Sequence, residues 1–383
     1  MTNDMTRGRI LPQLISFTIP LVLGNLFQLT YNAADSMIVG RYLGGQALAA
    51  VGTAGPIMNL AILFISGMCM GAGILMSTQY GAKQQDVLER QISTTLLSGL
   101  VFSFFVTLSM MVLAKPVLTL IRVPEEILDS ACGYLRIIFT GFLFTFAYNF
   151  FSSTLRALGD SKASLYFLVI SSVFNIAGDL LFVAVFRWGV NGSALATVLS
   201  QMICCLCCMI YIQKKVPLLR LGKRWLIFDK RLLSRTFSFG ITSALQLMCV
   251  QLGKVCVQSM VNMQGIAFMA AFTAVNRVDD FALTPQQNIA HAATTFMAQN
   301  KGAGQEKRMK QGFFCGVLVE LCYTAAVGIC VFLFAEPIMK LFLPEESAEV
   351  IVLGVTYLHL ISFLYLLSGS GNIVQGFFRG IGD

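Results

Sequence analysis

Asn175 and Asp179 stand four residues apart in an otherwise apolar run, with Val173, Phe174 and Ile176 around the first and Leu180 and Leu181 behind the second. On a helix, residues at i and i+4 share one face. An amide beside a carboxylate offers neutral oxygen ligands and one titratable group, chemistry that suits a proton or a small hard cation. A second apolar run carries Gln28, Tyr31, Asn32 and Asp35 on neighbouring turns of much the same face. A polar stripe on an apolar helix points to a cavity rather than to lipid. Thr197, in Gly192-Ser-Ala-Leu-Ala-Thr197, can add a hydroxyl. The plainer alternatives are an Asn-Asp pair that only ties helices together and an Asp35 that is merely interfacial.

These residues matter because the elements that carry them are built for a bilayer. Charged residues make up 12% of the chain and the mean hydropathy is +0.74, whereas soluble domains carry about a quarter charged residues. Apolar runs long enough to cross a membrane, which takes about 20 helical residues, fall at 14–38, 46–78, 91–114, 131–154, 163–186, 190–212, 236–262, 266–298, 311–335 and 350–377. The runs are continuous rather than alternating, so helices and not barrel strands must satisfy their backbones. The expected fold is an all-α polytopic membrane protein. An ionisable residue at bilayer depth costs about 2.5–3.5 kcal/mol on insertion scales, which singles out Asp35, Arg136, Asp179, Lys254, Arg277, Asp279, Asp280 and Glu320. Lys254 is expected to pair with Asp279 or Asp280; Glu320 has no assigned role.

The chain also repeats itself. Arg156-Ala-Leu-Gly-Asp160 recurs as Arg379-Gly-Ile-Gly-Asp383, Lys115-Pro116 as Glu336-Pro337, Val123-Pro124-Glu125-Glu126 as Leu343-Pro344-Glu345-Glu346, and Tyr134-Leu135 as Tyr357-Leu358, all at offsets between 220 and 223. That period far exceeds solenoid repeats of roughly 20–50 residues and fits the paired halves of secondary transporters. Two pseudo-repeated helix bundles are expected: a first lobe over 1–212 with six helices, a basic cytoplasmic linker over 213–235 that lies on the membrane surface with Trp225 at the interface, and a second lobe over 236–383 with four. The second lobe lacks counterparts of the fifth and sixth helices, so the reading expects a C-terminally truncated chain that keeps the first-lobe site and does not transport.

The net charge of +8 sets orientation rather than implying nucleic acid. Nineteen Lys and Arg residues fall on the loops of the N-terminal side against five on the other, which places the N-terminus in the cytoplasm. The first ten residues are polar and the first apolar run is too long for a signal peptide. Cys204-Cys205-Leu206-Cys207-Cys208 contains C-x-x-C spacing but lies in an apolar helix without His or acidic neighbours, so packing and not metal is expected. Two isolated histidines without an H-E-x-x-H pattern give a zinc hydrolase no basis. The expectation is no enzyme, no cofactor and no metal apart from a coupling ion.

Pro20, Gln28, Asp35, Val39-Gly40, Leu43-Gly44 and Leu48-Ala49-Ala50-Val51-Gly52 resemble the first-helix signature of MATE (multidrug and toxic compound extrusion) transporters. The Gln79-Tyr80-Gly81-Ala82 and Gln299-Asn300-Lys301-Gly302-Ala303 segments and the Arg-x-x-Gly-Asp ends are similar to other landmarks of that family. The resemblance implies twelve helices in two six-helix lobes, alternating access, and export of bulky, often cationic organic compounds against inward H⁺ or Na⁺. It implies a coupling site made of Asp35, Asn175, Asp179 and Thr197, as in the prokaryotic branch coupled through its first lobe. By the same resemblance Pro20 marks a helix bend tied to the ion cycle, and Gln28, Tyr31 and Asn149 line the substrate path. Another branch uses acidic residues in the seventh and tenth helices, where this chain has Lys254 and His359, so a sodium site of that type is not expected. The protein is expected to be a monomer in a prokaryotic plasma membrane, with the bilayer and small organic cations as its partners. The rival readings are a flippase for lipid-linked saccharides, which wants more deep basic residues than Arg136, Lys254 and Arg277, and a membrane-embedded enzyme or sensor.

Overall fold

The computed structural model describes residues 4–216, 226–342 and 348–382, and within them the chain is helical with short connections. The helices are α1 (Ile10–Gly81), α2 (Gln85–Leu120), α3 (Glu125–Thr140), α4 (Phe142–Ala157), α5 (Ser161–Asp179), α6 (Gly189–Lys215), α7 (Lys230–Asn262), α8 (Ile266–Gly302), α9 (Glu306–Leu333), α10 (Ala335–Phe342) and α11 (Ala348–Ile381), with a π-helical stretch, Leu180–Val185, continuing α5. Among the described residues seven helices are long and apolar enough to cross a membrane, or eight if the bent pair α3 and α4 is one span.

The expected spans and the observed helices differ where backbone torsions decide. The first two runs form one 72-residue element broken at Gly44, whose φ of 82° is a left-handed conformation that glycine adopts without steric cost. Pro20 sits inside α1 with helical torsions on either side. The fourth run is broken into α3 and α4, bent by 47°. The eighth run is helical, but α8, which carries Asn276, Arg277, Asp279, Asp280, Gln286, Gln287 and Asn288, is not among the helices apolar enough to cross a membrane.

The repeat is visible in the turns. Gly159 and Gly382, the fourth residues of the two Arg-x-x-Gly-Asp segments, have φ of 85° and 80°; Lys83 and Gly304, also at equivalent positions, have φ of 56° and 68°. In the first copy the motif's aspartate starts α5: Asp160 Oδ1 accepts from the Ala163 amide at 3.1 Å and Oδ2 from the Tyr211 hydroxyl at 2.7 Å, an N-cap that satisfies one of the orphan donors of a helix start. Leu343-Pro344-Glu345-Glu346 and Asp383 lie outside the described residues.

The chain forms two compact units, Met1–Asp4 with Leu23–Leu247, and Met5–Val22 with Met248–Asp383. Their limits differ from the expected lobes: the start of α1 folds with the second copy and most of α7 with the first. Within the second unit Arg308 holds the N-terminal segment, donating to the carbonyls of Met5 and Gly8 and to Gln13 Oε1, while the Met5 amide donates to Gln299 Oε1 at 3.0 Å. Within the first unit α7 packs closely on α1, since a Cβ on Gly67 or Gly71 would come within 2.4 Å of the Ala244 or Gly240 backbone. Of the linker, residues 217–225, including Lys223-Arg224 and Trp225, lie outside the described residues. The following Ile227–Asp229 stretch ties back to α2, with the Ile227 carbonyl accepting from Ser93 Oγ at 2.7 Å and the Asp229 amide donating to Thr94 Oγ1 at 3.0 Å.

Candidate functional site

Small residues let α5 and α6 approach closely enough for their polar faces to meet. A Cβ on Gly178 would stand 2.9 Å from the Ala196 methyl, and one on Gly192 would stand 3.1 Å from Phe182; apolar helices associate through such small-residue contacts. Asn175 Nδ2 donates to Thr197 Oγ1 at 3.2 Å. One turn away on each helix, Asp179 and Ser193 are both fully buried, and Ser193 Oγ donates to Asp35 Oδ1 of α1 at 2.9 Å. Asp35 and Ser193 are the polar neighbours of the Asp179 carboxyl. Four of the sequence's candidates, Asp35, Asn175, Asp179 and Thr197, therefore meet within the first unit.

Asp179 is also the last residue of α5 before the π-helical stretch. A π-helix loosens the hydrogen-bond register by one residue and is frequent at functional sites. Here it starts at the residue after the buried carboxylate.

Three buried oxygens in this cluster reach no hydrogen-bond donor: Asn175 Oδ1 and both oxygens of Asp179. Buried acceptors without donors are costly, and a buried charge without a partner more so. An ionised carboxylate accepts only, so the arrangement is complementary to a proton or a cation. Among the described residues no cluster of three His, Cys, Asp or Glu side chains is present for a transition metal. The buried Cys204, Cys205 and Cys208 are part of the apolar core of the first unit, with Cys204 Sγ donating to the Phe167 carbonyl at 3.2 Å.

Other sequence candidates are placed differently. Tyr31 lies beside Gln28 and within electrostatic reach of Asp35, so this part of the α1 stripe adjoins the cluster. Asn149 donates back to the Thr145 carbonyl of its own helix at 2.8 Å and shows no bond to the cluster. Pro20 belongs to the second unit, whereas Asp35 belongs to the first. Arg136 is exposed and donates to the Met111 carbonyl. Lys254 stands 3.9 Å from Asp280, and the Tyr365 hydroxyl donates to Asp279 Oδ1 at 2.6 Å.

Two residues of the site were not singled out by sequence. Ser193 precedes Thr197 by one helical turn, so the i, i+4 spacing that flagged Asn175 and Asp179 repeats across the contact. Tyr134 is 3% exposed and neighbours Asp35, Asp179 and Tyr31; in the sequence it served only as a repeat landmark.

A two-unit helical membrane protein with a buried acidic cluster in one unit has the make-up of a secondary transporter. The MatE family model matches residues 20–181 and 242–383, and the chain belongs to that family. It is 31% identical over 389 residues to the probable multidrug resistance protein YoeA of Bacillus subtilis (strain 168), covering all of this chain and 84% of that protein. It is 32% identical over 385 residues to the probable multidrug resistance protein YpnP of the same organism, covering 99% and 84%. The fold matches a structure described as the outward-facing conformation of a multidrug resistance MATE family transporter of the MOP superfamily, with a TM-score of 0.92 at 22% identity, covering all of this chain and 85% of the other. The protein is thus a membrane-integral member of the MATE multidrug efflux transporters.

Proposed function

We propose that the protein is a cation-coupled antiporter that exports organic cations or other xenobiotics by alternating access, with H⁺ or Na⁺ entering at Asp35, Asn175, Asp179 and Thr197. The observation that carries the reading is Asp179: fully buried, flanked by an amide and a second carboxylate, with neither oxygen hydrogen-bonded. Its charge must be neutralised whenever the site closes, which a proton or a sodium ion does. Asp35 and Asn175 supply further oxygens, Ser193 holds Asp35, and Thr197 holds the Asn175 amide. Coupling follows if the ion and the substrate favour different states of the protein, since each shifts the equilibrium only by its differential affinity. The substrate class is read from the names of the relatives; Gln28 and Tyr31 beside the acidic cluster are its proposed contacts, Asn149 and Pro20 the proposed path and bend. The bias of basic loops supports a cytoplasmic N-terminus in a prokaryotic plasma membrane, and the reading includes a monomer without cofactor.

The flippase alternative finds little support, because Arg136 is exposed and Lys254 is beside Asp280, leaving few deep cations for a pyrophosphate. The test is efflux of a fluorescent cation from proteoliposomes of the full-length protein, driven separately by a pH gradient and by a sodium gradient. One gradient should drive efflux in the wild type and neither in Asp179→Asn. Wild-type coupled efflux by Asp179→Asn would refute the assignment.

A further inference from the structure

Among the described residues Glu320 of α9 is the other fully buried carboxylate, and it lies in the second unit, outside the cluster just described. Both of its oxygens lack a hydrogen-bond partner. Its position is made possible by Gly369 of α11: a Cβ there would stand 2.9 Å from Glu320 Oε1 and 2.4 Å from Thr324 Cγ2. The carboxyl therefore rests against a bare stretch of helix, with the Thr324 methyl beside it.

The internal repeat shows what this position would hold if it were only core. Glu320 and Gly369 lie 221 and 223 residues after Gly99 and Phe146, within the offsets of the duplication. Gly99 and Phe146 touch in the first unit, where a Cβ on Gly99 would stand 1.8 Å from Phe146 Cζ. The same contact thus exists in both copies with the bulk on opposite helices. One copy fills the space with a phenyl ring, the other with a carboxyl.

A buried carboxylate without a partner costs several kcal/mol, so something must neutralise it. A hard cation takes a shell of several oxygen ligands. Here the groups shown against the carboxyl are Gly369, which brings no side chain, and the Thr324 methyl, and neither neighbouring hydroxyl donates to it, because the Thr324 proton is committed to the Leu321 carbonyl and the Tyr323 proton to the Ala282 carbonyl of α8. Among the titratable groups of α8 and α11, Asp279 accepts from Tyr365, Asp280 stands beside Lys254 of α7, Arg277 is exposed, His359 contacts the Phe332 carbonyl and Lys301 donates to the Ile381 carbonyl; His291, Glu349, Tyr357 and Arg379 are the others, and neither Glu320 oxygen is hydrogen-bonded to any of them. That leaves a proton.

A polar strip begins one residue along α11. Ser368, the residue before Gly369, is exposed, and its hydroxyl donates to Oε1 of the fully buried Gln286 at 3.3 Å, as does Asn372 Nδ2 at 3.4 Å. Gln286 Nε2 is buried without an acceptor. Pro285 precedes it inside α8, and a proline there removes one backbone hydrogen bond and permits bending.

We propose that Glu320 is a proton-exchanging site in the second unit: a neutral carboxylic acid in this conformation that releases its proton through the Gln286, Ser368 and Asn372 strip. The site takes H⁺ and not a metal cation, and it does not depend on which ion the first unit binds.

The test is infrared difference spectroscopy of the full chain in lipid, taken from acid to alkaline pH on wild type, Glu320→Gln and Asp179→Asn. A carboxylic-acid carbonyl band should be present in wild type, be lost in Glu320→Gln, persist in Asp179→Asn, shift in D₂O and give way to a carboxylate band as pH rises. If Glu320→Gln removes no such band, the group is ionised and the proposal fails. If the band is removed but in wild type neither shifts in D₂O nor bleaches while the protein stays folded, Glu320 is a fixed structural acid and the exchange is refuted. Should Glu320→Gln misfold, Glu320→Asp replaces it: the band should then move in frequency and in pH midpoint, and an unmoved band overturns the assignment. Loss of coupled efflux in Asp179→Asn with the Glu320 band intact separates this site from the one in the first unit.

Discussion

The two copies put their buried carboxylates in different surroundings. In the first, Asp179 sits among an amide, two hydroxyls and a second carboxylate drawn from α1, α5 and α6; in the second, Glu320 sits against a glycine and a threonine methyl of α11 and α9. The first arrangement offers several oxygens, the setting proposed above for a proton or a sodium ion. The second offers one carboxyl, the setting proposed above for a proton alone. A duplicated scaffold has thus acquired ionisable groups at non-equivalent positions. The small residues decide where a side chain can enter the interior: Gly178 and Gly192 bring α5 and α6 together, and Gly369 leaves the space that Glu320 takes.

The comparison is most sharply broken by Asp179→Asn, which removes the fully buried carboxyl of the cluster and leaves Asp35 as its remaining acid. Coupling free energies of about 1–3 kcal/mol correspond to roughly 5–150-fold, so gradient-driven efflux should fall to the level of passive leak in the proteoliposome assay. If Glu320 were the main ion carrier, Asp179→Asn would leave most of the efflux intact, and the ranking of the two sites would reverse.

The next test concerns the swapped contact. Gly99→Ala forces a methyl into the Phe146 ring, and Gly369→Ala forces one onto Thr324 Cγ2 and Glu320. Overpacking of this kind costs about 1–3 kcal/mol, so both variants should unfold at lower temperature in detergent. The rescues differ. Phe146→Leu should restore Gly99→Ala, whereas Thr324→Ser, which deletes the clashing methyl, should restore Gly369→Ala. A Gly369→Ala variant as stable as wild type would mean that the Glu320 carboxyl is not confined as described.

Ser193→Ala should have a smaller effect. Hydrogen bonds to charged groups contribute about 1.5–3 kcal/mol, and Asp35 keeps solvent and Tyr31 as alternatives, so ion affinity should weaken about tenfold without loss of transport. The concentration of the driving ion at half-maximal efflux measures this. An unchanged value would mean that Asp35 is positioned by other groups.

Much of this could be read in the sequence, for reasons specific to each element. Hydropathy marks helices in a bilayer because every backbone group must bond within its own segment, so the ten apolar runs all fall on helices. The i, i+4 rule found Asn175 and Asp179 because two polar residues on one apolar face have no reason to be there unless they meet something. Ser193 obeys the same rule relative to Thr197 but was hidden by the abundance of serine in membrane helices. Tyr134 has no local signature, since only the fold of α3 brings it to the acidic cluster. The exchange of residues 5–22 and of α7 between units also left no trace, because amphipathic patterns say that a face is covered and not by which copy. Glu320 was visible as a cost without a benefit, and only the contact with Gly369 gives it a setting.

The smallest effect is expected at the one deep ion pair that sequence composition suggested. Lys254 and Asp280 are 3.9 Å apart, at the limit of direct contact, and their side chains are 60% and 43% exposed. Pairs of this exposure contribute about 0–1 kcal/mol. Asp279, the other candidate partner, instead accepts a 2.6 Å hydrogen bond from Tyr365, a residue 2% exposed. Lys254→Met should therefore shift the melting temperature by no more than about 2 °C, taking about 1 kcal/mol and the size dependence of such shifts, whereas Tyr365→Phe, which leaves a half-buried carboxylate without its donor, should shift it more. The opposite ranking would make Lys254 the charge that holds α7 to α8, and would place an organising cation in the second unit, in contrast to the acids, amide and hydroxyls of the Asp179 cluster.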